Sequence, residues 1–291
     1  MAANDALCLM MVHAHPDDEA SKGAGTVAKA HAQGVRTVLV CCTGGEAGDI
    51  LNPAMDTDAV RARLPDVRME ELAEATRIIG YDEVVLLGYR DSGMPDTEAN
   101  LHPESFARAP LEEAAGRLVA AIRRERPHVV VTYADDQEGY PHPDHLRVHE
   151  ISIEAFSAAG DPDRYPELGD PWQPSKLYYV LWARARIEAT HEAFLRLGLR
   201  SPYDDRWLNR PSHDDRITTR VDISDYMHVR PEALKAHRTQ IDPESPFWFG
   251  LPPEVAHTIH PWDDYELVRS LVDAPVPEDD LFAGLRDRVR G

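Results

Sequence analysis

The chain has 291 residues, enough for one large α/β domain with a substantial core. Its 43% hydrophobic content is ordinary for a globular protein, but Lys+Arg 31 against Asp+Glu 51 leaves a formal net charge of -20. So acidic a surface disfavours nonspecific attachment to nucleic acid or to anionic membranes, and neither is expected as a partner.

The N-terminal "MAANDALCLMM" has no basic segment followed by a long apolar run, so it does not read as a signal peptide. No apolar run approaches the roughly 20 residues of a membrane span. The cysteines are Cys8, Cys41 and Cys42, all in or beside apolar segments and without C-x-x-C spacing. That excludes a disulfide framework and a cysteine zinc knuckle, and a cytoplasmic location is expected.

In chain order, "ALCLMMVH" (6–13) predicts a buried strand, 22–34 a helix closed by Gly34, and "VRTVLVCCT" (35–43) a second strand. A helix over 67–80 follows, with Leu72, Ala75, Ile78 and Ile79 on one face and Gly80 at its end. "EVVLLGY" (83–89) is the third strand, 110–127 a helix opened by proline, "HVVVTY" (128–133) the fourth strand, 144–160 a helix and "KLYYVLW" (176–182) a fifth strand. Strand and helix in alternation predict parallel strands with helical crossovers, and continuous apolar strands predict a sheet covered on both faces. The expected fold is therefore α/β, a Rossmann-like doubly wound, mostly parallel sheet. Residues 1–182 form its core. Residues 183–291 form a smaller C-terminal α+β portion that contributes to the substrate pocket rather than folding as an independent domain. Within that portion 186–199, 224–240 and 263–271 read as helices.

Ligands of such sheets bind beyond the carboxyl ends of the strands, where the strand order reverses. With the order 3-2-1-4-5, strands 1 and 4 flank that point. Strand 1 runs into "HAHPDDE" and strand 4 into "ADDQEGYPHPDH", the two densest His/Asp clusters of the chain. Imidazoles and a carboxylate can hold Zn²⁺ while leaving a position for water, whose pKa the ion lowers to about 7. His15 and Asp18 can converge on one ion, and His142 or His145 would supply the third ligand. Asp17 or Asp18 would be general base, and a protonated histidine oriented by Asp144 could serve the leaving group. His13 ends the strand beside the site as a second-layer or simply buried residue. His31, His128, His149, His191, His257 and His260 have no cluster support. There is no G-x-S-x-G or G-x-G-x-x-G motif, which argues against a serine nucleophile and a dinucleotide. The glycine-rich "TGGEAGD" (43–49) would let backbone approach a ligand closely.

On "AHPDDE" and "GYPHPDH", together with "TGGEAGDILNPAMD", "YRDSGMP", "RPHVVVTY", "GDPWQPSKLYYV" and "AHRTQIDP", the sequence resembles the zinc-dependent N-acetylglucosaminyl deacetylase superfamily, called PIG-L-like or LmbE-like. These segments span nearly the whole chain. Together they resemble the mycothiol S-conjugate amidases more than the deacetylases of mycothiol biosynthesis. The resemblance implies Zn²⁺, with Fe²⁺ as the alternative ion, held by His15, Asp18 and His145. It implies Asp17 as general base, and His142 as general acid or stabiliser of the charged intermediate, tuned by Asp144. Tyr140 would donate to the oxyanion. It further implies that Lys22, Glu46, Arg68 and Asp91 contact the glucosamine–inositol part. Simpler roles exist for three of these: Arg68 could pair with Glu71 or Glu74 on a helix surface, Asp91 could cap its turn, and Lys22 could be a solvated first-turn residue. Lys22 nevertheless fits the "SKG" of the amidases, and the deacetylases typically lack it. The implied substrate is a small-molecule mycothiol S-conjugate, in detoxification or in an antibiotic pathway, with a homo-oligomer allowed. The alternatives are the biosynthetic deacetylase and a non-catalytic sugar-thiol binding protein. "YADDQEGYPHPDH", 206–220 and "SPFWFG" (245–250) depart from the family pattern, which leaves the S-linked group open.

Overall fold

The computed structural model describes residues 6–136 and 140–286. Residues 137–139, part of the departing "YADDQEGYPHPDH" run, lie outside the described residues. Seven strands make one sheet: β1 (Cys8–His13), β2 (Arg36–Thr43), β3 (Glu83–Tyr89), β4 (Val129–Tyr133), β5 (Lys176–Leu181), β6 (Thr219–Asp222) and β7 (Trp262–Ser270), in the order β3-β2-β1-β4-β5-β7-β6. The first five are parallel in the expected order 3-2-1-4-5, so the chain reverses direction across the sheet between β1 and β4.

β1 shows why its sequence is apolar throughout. Leu9 and Met11 face one core, with the helices Ala24–Ala32, Leu64–Ile79 and Val229–Ala236. Cys8, Met10 and Val12 face the other, with Leu111–Glu125 and Pro143–Ala158. The three cysteines are buried free thiols on these strands. Among the described residues no helix is long and apolar enough to cross a membrane.

The helix expected over 22–34 forms over Ala24–Ala32, and Gly23, at φ 78°, sets it off from a separate short helix at Asp18–Ser21. Two expectations need correction. The segment expected as a helix over 263–271 is β7, antiparallel to both β5 and β6. Its charged residues gave it a helical look, but pairing on both edges and the burial of Tyr265 beside Tyr178 decide its form. Likewise 224–240 contains a helix only over Val229–Ala236. A buried cluster ties the later chain to β5: Lys176 lies 2.5 Å from Glu278, which also accepts from Tyr178 at 2.6 Å and from Thr219 at 3.0 Å.

Candidate active site

The two His/Asp clusters meet beyond the carboxyl ends of β1 and β4. His142 caps the helix Pro143–Ala158: its Nδ1 accepts the Asp144 backbone N–H at 3.2 Å, and Pro143 takes the first turn, where no N–H is needed. This places Asp144 and His145 on the first helical turn, both buried, facing the loop that leaves β1.

Three donors converge. His15 Nδ1 and His145 Nε2 each lie 3.4 Å from Asp18 Oδ2. Ligands at about 2.1 Å in a tetrahedral zinc site are themselves about 3.4 Å apart, so each of these two spacings is that of neighbouring ligands on one ion. His15, Asp18 and His145 are all buried and form a ligand-competent group, and the donor set fits a divalent metal. The second oxygen of Asp18 is held by Lys22 at 2.5 Å, which leaves Oδ2 for the ion. The far nitrogen of His15 faces Asp144 at 3.1 Å and Asp91 at 3.5 Å, and those carboxylates fix its tautomer with the proton on Nε2. Burial opposes a charge on His15, yet Asp144, Asp18 and Asp91 hold its pKa well above the ordinary imidazole value. The pocket is thus electrostatically prepared for a cation. Burial acts against ionised Asp18 as well, but Lys22 and His145 keep its carboxyl well below the usual range. His145 is pushed down to about 4 by burial and is a neutral donor at pH 7. Its ring stacks on Tyr133 at 4.3 Å and 10°.

Asp17 stands beside this set without belonging to it. Its φ of 111° is strained for a residue with a side chain. The strain is held from two directions. Its N–H donates to Glu19 at 2.9 Å, and Arg68 reaches its carboxylate at 3.4 Å. Burial and the neighbouring Asp18 raise the Asp17 pKa to about 6, the range suited to moving a proton near neutrality. His142 is pushed down to about 4 by burial and by His15 and His145. It is therefore neutral at pH 7, and because its Nδ1 accepts from backbone its proton sits on Nε2. Tyr140, half exposed, stacks beside His142 at 5.9 Å.

The residues expected to contact substrate divide. Arg68 does not pair with Glu71 or Glu74 on a helix surface: it is buried, and its guanidinium donates to the carbonyls of Gly45 and, at 2.6 Å, Pro16. The glycine-rich loop therefore approaches Arg68, and a Cβ on Gly45 or Gly48 would collide with it. Asp91 does cap its turn, accepting from Gly93 and Ala47, while also facing His15. Glu46 accepts the Asp91 N–H at 3.0 Å. Asp144 meets Ser92 and His15 through its carboxylate, gives its backbone N–H to His142 Nδ1, and its negative charge favours the protonated form of His142. Lys22, Arg68 and Asp91 line the same cavity of about 820 Å³ as the donor set.

Two contributors escaped the sequence reading. His237, in "AHRTQIDP", lies 2.5 Å from Glu19, and both are fully buried; Thr239 two residues on donates twice to buried Glu71. No local pattern links residues separated by 218 positions. The His237–Glu19 pair gives a pH-dependent prediction. Burial opposes both charges, but each partner lowers that cost for the other, so Glu19 falls below 4.5 and His237 rises above 6.5. Stability from a lowered carboxyl is present above its unfolded pKa, and stability from a raised imidazole is present below its own. Both contributions are complete between pH 4.5 and 6.5. His237→Ala is expected to cost on the order of 3 kcal/mol there, because it leaves Glu19 buried and unpaired. The deficit should shrink on either side of that window, as read by urea melts across pH; a deficit independent of pH would contradict the pair's charge.

With this geometry in view, a model of the family described as PIG-L: GlcNAc-PI de-N-acetylase matches residues 10–156. The mycothiol S-conjugate amidase of Streptomyces coelicolor is 47% identical, covering 98% of this chain and 99% of the relative. The 1D-myo-inositol 2-acetamido-2-deoxy-alpha-D-glucopyranoside deacetylase of Streptomyces avermitilis is 39% identical, covering 95% and 97%. The fold is shared with the N,N'-diacetylchitobiose deacetylase of Pyrococcus horikoshii, at TM-score 0.63 and 19% identity over 91% of this chain and 85% of the other.

Proposed function

Since the chain belongs to the PIG-L family of hydrolases, we propose that it is a zinc-dependent amidase acting on mycothiol S-conjugates, cutting the amide between glucosaminyl-inositol and the N-acetylcysteine moiety. The observation that carries the hydrolytic reading is the three-cornered donor set with strained Asp17 beside it. What favours the amidase over the biosynthetic deacetylase is the stronger likeness to the Streptomyces coelicolor enzyme along the whole chain.

His15, Asp18 and His145 would hold the ion. When bound, it supplies Lewis acidity to the amide carbonyl and lowers the pKa of water at the open position. The chain's own residues then divide the work. Asp17 takes the proton from the attacking water; with its pKa near 6 it can return that proton to the departing glucosamine nitrogen. Tyr140 donates its hydroxyl to the carbonyl oxygen as charge develops there. His142, neutral and protonated on Nε2, stabilises that charge by donation rather than arriving as an imidazolium. Lys22 and Arg68 position Asp18 and Asp17 and line the same cavity.

The role serves detoxification or the trimming of conjugates in a natural-product pathway, and the reduced, buried cysteines are consistent with the cytoplasm. Steady-state rates on two substrates test the reading. The expected kcat/KM for a mycothiol S-conjugate exceeds that for N-acetylglucosaminyl-inositol by tenfold or more, a discrimination within reach of one differing pocket (about 10–200-fold). The reverse ratio would identify the deacetylase.

A further inference from the structure

The cavity that holds the donor set is also lined by Trp182, Trp207, Phe247 and Trp248, none of which the catalytic account uses. These rings form one body with Phe247 at its centre. Trp248 meets Phe247 edge-on at 4.7 Å and 88°, Trp182 lies parallel to it at 6.1 Å and 9°, and Trp207 is tilted against it at 5.5 Å. Buried Tyr203 backs the cluster at 5.5 Å from Phe247, and the Arg210 guanidinium covers one face of Trp207 at 3.7 Å. All four lining rings are half-buried. Each of them thus packs on its neighbours while keeping part of its surface open to the cavity.

Topology says which end of the substrate they meet. Along the carboxyl edge of the sheet the order is β3-β2-β1-β4-β5. Glu46 and Asp91 follow β2 and β3 on one side of the catalytic pair, while Trp182 follows β5 on the other. The polar residues and the aromatic wall therefore flank the β1/β4 crevice from opposite directions. A substrate whose scissile amide sits at that crevice, with its sugar over β2 and β3, extends its acyl half toward β5.

Resting on the amidase reading above, we infer that this wall is a specificity subsite for the sulfur-linked substituent, and that it takes aromatic or comparably bulky apolar groups. Rings at right angles to one another form a corner that offers faces and edges to a planar guest, and burying the guest displaces water from half-exposed aromatic surface. A small substituent leaves that corner wet. Phe247 and Trp248 of the wall come from "SPFWFG", and Trp182 and Trp207 complete it.

The test compares S-benzyl and S-methyl mycothiol on the metal-loaded enzyme and on two variants, Phe247→Leu and Trp207→Leu. The second lies at the end of the cluster and guards against a variant that fails to fold. The native enzyme should favour S-benzyl by about tenfold or more in kcat/KM. Each variant should lose most of that preference, chiefly through a higher KM, while S-methyl turnover stays within about twofold of native. Equal rates on the two conjugates in the native enzyme would overturn the subsite and leave the amidase reading standing. Variants that lose both activities equally would also overturn it, since the rings would then be scaffold. Hydrolysis of neither conjugate, with acetate released from N-acetylglucosaminyl-inositol, would overturn the amidase reading and this inference with it.

Discussion

Asp17→Asn is expected to lower kcat by about 10³-fold while the protein keeps one metal ion per chain and an unchanged KM. The amide has the shape of the carboxylate and can still meet Arg68, so the strained turn survives, but it cannot accept a proton from water. Asp17 is outside the converging donors: His15 Nδ1 and His145 Nε2 meet at Asp18, not at its neighbour. Metal content by elemental analysis alongside steady-state rates separates the two neighbouring aspartates. A loss of less than about tenfold would place the general base elsewhere, and a loss of metal would exchange the two roles.

His145→Ala carries the second large effect. Its Nε2 lies 3.4 Å from Asp18 Oδ2 in the proposed ligand set, and its ring stacks on Tyr133. Removing a partner that merely orients a ligand costs about 10–100-fold in affinity, so removing a ligand itself is expected to cost more than about 100-fold. After dialysis against a mild chelator the variant should carry little metal and show no turnover, while its far-UV circular dichroism shows that it still folds; some loss of melting temperature is expected from the cavity left beside Tyr133. Full occupancy under the same dialysis would break the ligand assignment.

The parts of the molecule that could be read from the chain are those governed by local pattern. β1 and β2 are continuous apolar runs, and burial on both faces of a parallel sheet requires that. The meeting of the His15 cluster with the cluster of His142 and His145 followed from topology, because strands flanking the point of reversal must bring their carboxyl ends together. What could not be read depended on partners far away in sequence. β7 became a strand because two other strands pair with it. That the glycine loop and Pro16 close over Arg68, which excludes the helix-surface pairing left open as its simpler role, was not legible from its own helix. Glu19 and His237 bear on Asp17 only through a contact that the fold creates. The hydrogen bonds from the Asp144 carboxylate to His15 and Ser92 were not legible either, since they join the helix after β4 to the loops after β1 and β3.

The central claim is that this site breaks one particular amide. The most direct measurement is mass spectrometry of the products after metal-loaded protein acts on a mycothiol S-conjugate in ¹⁸O-labelled water. The account predicts one ¹⁸O in the carboxylate of the released N-acetylcysteine conjugate and unlabelled glucosaminyl-inositol bearing a free amine. An intact conjugate beside rapid release of labelled acetate from N-acetylglucosaminyl-inositol would contradict it and make the chain a deacetylase.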